Sequence, residues 1–360
     1  MHQENALKKI VAFGMNTVSR KQIPQFGSLN NSGYQFDIFT NNQQGDSFKN
    51  LRLLGNINKC YLLKRRALPR FFQIISYVAR EYNNLVHAQI YVGGRFSFVY
   101  LIISRLFGLK TLAVEWGDLI NLNILPKMTK FSMKFCYRHA DYVWYRELYM
   151  ERLLKKMGAN NLFFINNAVP QAPTINFCDK KKYTFLWVNR LIQHRHSDWF
   201  VDIISEGEFS KTYNALLGFQ SGLNDTYINQ KQKYVMSKKL SNLEVYPFID
   251  PYNFYLNSKF FVLPANIVFC NNSLIEAMSC GVVPIVSDVE GAHLIVEDRV
   301  DGFVAKNTYD DFRNCMKRAM QLTSREYEAM SINAINKTKR KFGLEEWKSR
   351  VLRMYDVVGT

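Results

Sequence analysis

Cysteine is sparse, and its spacing suggests no pairing. The six residues, Cys60, Cys136, Cys178, Cys270, Cys280 and Cys315, include no C-x-x-C pair. That pattern offers no zinc site and no disulfide framework, and reads as reduced thiols in a cytosolic chain. Long apolar runs are missing as well: stretches such as residues 96–103 end at a polar or charged residue well short of a membrane span. No charged-then-apolar leader precedes the first strand-like run at residues 9–13, so a cytoplasmic protein is expected. Acidic residues are few, 30 Asp+Glu against 47 Lys+Arg, for a formal net charge of +17.

That deficit is uneven. Residues 1–180 carry 24 basic against 10 acidic side chains, and residues 181–360 carry 23 against 20, so the basic character belongs to the N-terminal half. Within it, Lys64, Arg65, Arg66 and Arg70 precede Phe71 and Phe72. Lys127, Lys130, Lys134 and Arg138 recur at helical spacing beside Phe131 and Phe135. Basic faces with neighbouring aromatics suit an anionic surface, and the expectation is a peripheral membrane face. No recognised nucleic-acid motif accompanies the charge, so nucleic acid is not expected. The same residues also suit an ordinary solvated helix face.

At 360 residues the chain is long for one core and suits two α/β domains. Strand-like runs at residues 9–13, 34–40, 86–91, 111–114, 142–145 and 162–165 alternate with amphipathic segments at 71–82, 97–107, 128–139 and 148–157. After a Pro-containing, basic stretch at 169–182 the pattern restarts, with strands at 183–188, 214–218, 243–246, 260–263, 283–287 and 302–304. Such βαβ alternation in two blocks predicts two doubly wound parallel sheets. A long helix, about 344–357, ends the sequence.

The densest signal lies at residues 271–288. Asn271, Asn272 and Ser273 are capping types, Leu274, Ile275 and Met278 mark one apolar face, and Gly281 falls where a helix C-terminus takes a left-handed residue. Polar residues at the N-terminus of a helix in an α/β unit favour an anion such as a diphosphate. Glu276, one turn further in, suits hydrogen bonds from sugar hydroxyls. A capped helix with nothing bound fits the same residues.

Three segments then carry a family resemblance. Phe185-Leu186-Trp187-Val188-Asn189-Arg190-Leu191 through His194-Arg195-His196-Ser197-Asp198 is similar to G-R-L-x-x-x-K-G-x-D. Residues 269–288 resemble an acidic motif followed by E-A-M-A-C-G-x-P-V-V-A-x-D. Ile295-Val296-Glu297-Asp298 with Asp301-Gly302-Phe303-Val304 resembles V-V-E-D-G-x-x-G-x-L-V. In this order and spacing the chain resembles glycosyltransferase family 4. Weaker likeness runs through Leu85-Val86-His87-Ala88, Ala140-Asp141-Tyr142-Val143 and Ile165-Asn166-Asn167-Ala168-Val169-Pro170.

The resemblance implies a GT-B fold, with two Rossmann-like doubly wound parallel-sheet domains facing an interdomain cleft. An acceptor-binding domain is expected over residues 1–170 and a donor-binding domain over 171–343. The helix at 344–360 is expected to pack back toward the first domain. It further implies a retaining, metal-independent transferase that uses a nucleotide-sugar donor and a saccharide or lipid-linked saccharide acceptor, in bacterial cell-surface polysaccharide assembly on the inner membrane. Arg190, Arg195 and Glu276 take the catalytic places, Glu276 also toward the ribose, with Asn189, Asn272, Ser273 and Leu274 completing the donor site. Glu115, Asp118 and His87 are expected on the acceptor side, Glu115 and Asp118 flanking Trp116 and Gly117.

The sequence departs from the pattern at specific positions. Val268 stands where the first acid of the E-x7-E motif falls, Asn189 replaces a glycine, and Glu290-Gly291 replaces a Gly-Gly turn. Val268 and Asn189 keep open a catalytically degenerate nucleotide-binding subunit; a GT-B nucleotide-sugar epimerase is a further alternative, against which the segment at 190–198 argues.

Overall fold

The computed structural model describes residues 7–15, 22–41, 46–115, 118–172, 181–219, 226–247, 249–269 and 271–360. The chain divides into two compact units: Met1–Ala168 with Leu344–Thr360, and Val169–Gly343. Trp116, Gly117, Cys178 and Cys270 lie outside the described residues, as does the side chain of Asp118. The other four cysteines are free thiols.

Unit 1 holds seven strands: β1 (Lys8–Met15), β2 (Tyr34–Thr40), β3 (Ile57–Leu62), β4 (Leu85–Val92), β5 (Lys110–Glu115), β6 (Tyr142–Tyr145) and β7 (Leu162–Phe164). Their order is β3-β2-β1-β4-β5-β6-β7, and every pairing is parallel. The order reverses between β1 and β4, the crossover of a doubly wound sheet. Alternation along β1 explains its two faces. Val11 and Phe13 pack with Ile90, Tyr100 and Tyr137 on one side, while Ile10 and Ala12 pack with Phe36, Leu112 and Tyr355 on the other.

Among the described residues six α-helices of this unit precede its last strand: α1 (Gln22–Ser28), α2 (Asp46–Arg52), α3 (Ala67–Glu81), α4 (Ser97–Leu106), α5 (Lys127–His139) and α6 (Met150–Lys156). The C-terminal helix (Leu344–Val358) completes the second face. Its Trp347 ring lies 6.0 Å from that of Trp144, and the Tyr355 hydroxyl donates to Gln89 Oε1 at 3.0 Å. Helices α1 and α2 had no named counterpart in the sequence expectation, and two further elements depart from it. β3 had no predicted counterpart, because this edge strand is half solvated and the polar pair Asn58-Lys59 interrupts its apolar residues. Helix α3 starts at Ala67 rather than 71, since Pro69 falls in the first turn, where its missing N–H costs nothing.

Unit 2 is a second parallel sheet of six strands: β8 (Tyr183–Val188), β9 (Asn214–Phe219), β10 (Leu243–Pro247), β11 (Ser258–Leu263), β12 (Val283–Asp288) and β13 (Phe303–Lys306). The order β10-β9-β8-β11-β12-β13 reverses between β8 and β11. Its helices are α7 (Ser197–Ser205), α8 (Thr226–Ser237), α9 (Tyr252–Leu256), α10 (Asn272–Ser279), α11 (Ala292–Ile295), α12 (Tyr309–Met320) and α13 (Ser324–Phe342). Thr323 and Glu326 form a capping box at the start of α13. That helix is tied to the loop before β13 by a buried ion pair, Lys337 Nζ to Asp301 Oδ2 at 2.6 Å, while Asp301 Oδ1 accepts the Glu297 N–H. The chain enters and leaves unit 2 side by side, with the Val169 N–H bonded to the Phe342 carbonyl at 2.9 Å.

Candidate active site

Two loops meet at the crossover of the unit 2 sheet, one leaving β8 and one running from β11 into α10. After Val188 the chain turns through Asn189, whose N–H bonds the Leu217 carbonyl and whose Oδ1 accepts the Arg190 N–H. A short 3-10 turn, Gln193–Arg195, follows, and His196 sits at a left-handed φ of 31°. Three contacts stitch this segment to the other loop. Arg195 Nη1 donates to the Ile267 carbonyl at 2.9 Å, the Asn266 N–H donates to the His194 carbonyl at 3.1 Å, and His196 Nε2 meets Asn266 Oδ1 at 2.6 Å. The His196 ring is also stacked on Trp199, 4.2 Å between centroids.

Arg195 is buried, 7% exposed, and its Nε has no partner among the described residues. Burial and the nearby Arg190 charge pull its guanidinium down to about 10, still fully charged at neutral pH. The two cations are therefore close enough to interact, with Arg190 exposed and Arg195 sealed into the loop junction. Burial, followed by the Arg195 and His196 charges, holds His194 below its ordinary range.

Asn271 caps α10, its Oδ1 accepting the Leu274 N–H at 3.1 Å. This corrects one expectation: the Leu274 amide, read from sequence as a donor to ligand, already has an intramolecular acceptor. Asn272 and Ser273 open the first turn of α10. Asn272 is buried and Ser273 half-buried. One turn on, half-buried Glu276 receives the Tyr255 hydroxyl at 3.3 Å on Oε2. Tyr255 is wholly buried, and burial and then the Glu276 charge push its hydroxyl well above its ordinary range, so it stays a donor. Sequence reasoning missed Tyr255 and Asn266, and placed His196 in the resembling segment without a role. A short tyrosine-bearing helix after Pro251 is a faint signal, and nothing in the spacing marks Asn266.

Position 268 is built differently from an acid facing a ligand. Val268 is 0% exposed and belongs to the core beneath α10. Its N–H donates to the Glu290 carbonyl at 2.9 Å, and its own carbonyl presses on the turn after β12. Gly291 there has φ 88°, and a Cβ on it would lie 1.6 Å from the Val268 oxygen. Only glycine fits, so the turn that differs from Gly-Gly keeps the one glycine the backbone requires.

In unit 1 the remaining site residues scatter. Glu115 ends β5, 1% exposed, with Oε1 3.5 Å from the Leu119 N–H. His87 is the third residue of β4, wholly buried under the Tyr355 ring, with neither ring nitrogen bonded among the described residues. Burial pushes it down to about 3, so it is a neutral core residue. It lies near the N-terminal end of its strand, opposite the end at which open α/β sheets bind ligands. Asp141, another residue of the resemblance, accepts the Thr111 N–H and hydroxyl and so braces the β5–β6 region.

The basic residues separate into two sets. Lys64, Arg65, Arg66, Lys127 and Lys134 are exposed, as are Leu68, Phe71, Phe72, Met128 and Phe131. Lys130 is half-buried and donates to the Asn123 carbonyl at 2.6 Å. Arg70 is also half-buried; it turns inward to the Lys64 carbonyl and the Tyr100 hydroxyl, because the Phe96 ring beneath it favours a stacked guanidinium. Among the described residues no helix is long and apolar enough to cross a membrane.

Residues 170–337 match the family of glycosyl transferases group 1. No curated protein matches the chain by sequence. Among solved structures, the fold is similar to a glycosyltransferase from Rickettsia africae, with a TM-score of 0.78 and 13% identity over 98% of each chain. It is also similar to Anabaena HepE in complex with UDP and glucose, with a TM-score of 0.76 and 12% identity over 98% of this chain and 100% of that one. Sucrose-phosphate synthase from Thermosynechococcus elongatus gives 0.72 and 12% over 98% and 99%. Residues 170–337 thus match glycosyl transferases group 1, and the chain has the two-sheet GT-B fold of these solved structures.

Proposed function

We propose that the chain is a retaining hexosyltransferase that moves a sugar from a nucleoside-diphosphate sugar to a saccharide or lipid-linked saccharide, in the assembly of a bacterial cell-surface polysaccharide. The observation that carries this reading is the stitched junction in unit 2. Buried Arg195 and exposed Arg190 lie beside the loop that leads to the capped N-terminus of α10. Breaking the sugar–phosphate bond leaves negative charge on the diphosphate, and preorganised cations and a helix N-terminus in a sheltered site stabilise that charge. The reading assigns this work to Arg190, Arg195 and the first turn of α10, so it calls for no divalent cation. Glu276, steadied by Tyr255, takes hydroxyls of the ribose. The leaving diphosphate accepts the acceptor proton on the face it departs from, which retains configuration and needs no protein nucleophile.

UDP in the Anabaena HepE structure makes a UDP-sugar the first donor to try. The exposed cations and aromatics of α3, α5 and the loop before α3 support a peripheral seat on the cytoplasmic face of an anionic membrane. Calorimetric titration with UDP, GDP, ADP and CMP tests the donor site. Selective binding that falls about tenfold or more in Arg190→Ala, but much less for the bare nucleoside, is the expected result. Equal losses for nucleoside and diphosphate would remove Arg190 from the phosphate site.

A further inference from the structure

A cavity of about 300 Å3 opens at the C-terminal ends of β1 and β4, where the strand order of unit 1 reverses. Three arginines line it: Arg65, Arg70 and Arg95. The Cζ atoms of Arg70 and Arg95 stand 4.8 and 4.9 Å from the centre of the Phe96 ring, which holds both guanidinium groups over one aromatic surface. Arg70 is further fixed through Nε to the Lys64 carbonyl at 2.7 Å and through Nη1 to the Tyr100 hydroxyl at 3.3 Å. Among the described residues no aspartate or glutamate lines the cavity, and none of the three arginines has a carboxylate within ion-pair distance.

The backbone is shaped for close approach. Gly14 has φ 78°, and a Cβ there would sit 2.9 Å from the Tyr91 carbonyl oxygen. Gly94 precedes α4 and exchanges hydrogen bonds with Ser97, at 3.3 Å from its N–H and 3.1 Å to its carbonyl. Helix α4 has no acid in its first turn and no side-chain cap, so the positive end of its dipole is not neutralised by its own residues. Three like charges held together without a counter-ion repel one another, and packing two of them on a ring keeps them there. A bound anion with several acceptor oxygens relieves that repulsion, and guanidinium forks match phosphate geometry.

We propose that this cavity binds the phosphate group of a phosphorylated acceptor, with the acceptor's body lying along Phe96 and Tyr100. The volume is at the small end of small-molecule pockets and suits a phosphate ester with a sugar- or polyol-sized portion. The inference rests on the transferase reading for the word acceptor. The anion site itself does not depend on it.

The test is calorimetry with glycerol 1-phosphate, together with sedimentation on phosphatidylcholine vesicles with and without phosphatidylglycerol. Arg70→Gln and Arg95→Gln should each weaken glycerol phosphate binding about tenfold to a hundredfold, as expected for a lost charge-assisted contact. Gly94→Leu keeps every charge and fills the cavity, since its Cβ would have only Ser97 Oγ nearby, at 3.8 Å. It should abolish binding of the ester while leaving UDP binding and the melting profile in place, the melting profile reporting that unit 1 is folded. Binding of the free ester indicates a soluble phosphorylated acceptor. Gly94→Leu-sensitive binding seen only on phosphatidylglycerol vesicles indicates that the phosphate is presented by a lipid. Wild-type ester and vesicle binding in Gly94→Leu would overturn the pocket, as would binding that responds only to Lys64→Glu and Arg66→Glu. Loss of UDP binding with intact ester binding would instead overturn the donor reading and leave the pocket standing.

Discussion

Replacing Val268 with glutamate restores, on paper, the acid that the E-x7-E pattern calls for. The structure predicts that it damages the fold instead. Val268 is fully buried in the apolar cluster beneath α10, and its backbone is clamped on both sides, by Glu290 through a hydrogen bond and by Gly291 through contact. Taking the valine away forfeits about 1.5–3 kcal/mol of burial. A carboxylate in its place costs several kcal/mol more, or else stays protonated with its pKa raised by desolvation. The total is about 4 kcal/mol at the least, a large part of a typical 5–15 kcal/mol stability. In a domain of this size that is a fall of about 10 °C in melting temperature by calorimetry. The sign of the pH effect follows. A carboxyl pKa raised in the folded state leaves the protein least impaired at low pH, and the loss relative to Val268→Gln grows as pH rises above the unfolded value of about 4.3. A Val268→Glu protein that melts like wild type at every pH, and binds a nucleotide sugar more tightly, would refute the burial argument and place residue 268 at the ligand.

Two further outcomes are expected. Lys337→Met leaves Asp301 buried without its cation and should cost about 3–5 kcal/mol; the double variant with Asp301→Asn should recover part of that loss, and calorimetry of the set would expose an additive pair as merely superficial. Glu244 accepts hydrogen bonds from Tyr183, Tyr213, Tyr246 and Lys182, which outweigh the effect of burial and bring its carboxyl down to about 2. Its contribution is therefore present above the ordinary carboxylate range and lost as pH falls from about 4.5 toward about 2. Because the group is partly solvated, it amounts to about 1–2 kcal/mol. Acid titration of stability should show this step in wild type and not in Glu244→Gln.

The fold was legible where strands are buried on both faces. Residues 34–40, 142–145 and 183–188 read as strand-like runs and form β2, β6 and β8 with the expected bounds. β3 was not legible, because its information lies in pairing with β2 and not in its own composition. In the candidate site, the types at Arg190, Arg195 and Glu276 stood out as a spaced pattern. Their environments did not. That Arg195 anchors the Ile267 carbonyl, that Asn271 consumes the Leu274 amide, and that Arg70 leaves the surface to lie on Phe96 are all consequences of tertiary packing. His87 shows the opposite error: a polar letter in a resembling segment is a core residue beneath Tyr355.

The last helix gives unit 1 a peculiar history during synthesis. Part of one face of its seven-stranded sheet is covered by Trp347, Val351, Met354, Tyr355 and Val358, which follow all of unit 2 in the chain. A ribosome adding about 5–20 residues per second therefore leaves that face wet for about ten seconds or more after residue 168 is joined. Unit 2 is contiguous and can close first, while the earlier-made sheet waits as an exposed apolar surface. Chains interrupted before residue 344 would carry a finished second unit and an unfinished first one, and such truncation products are natural clients for chaperones and proteases.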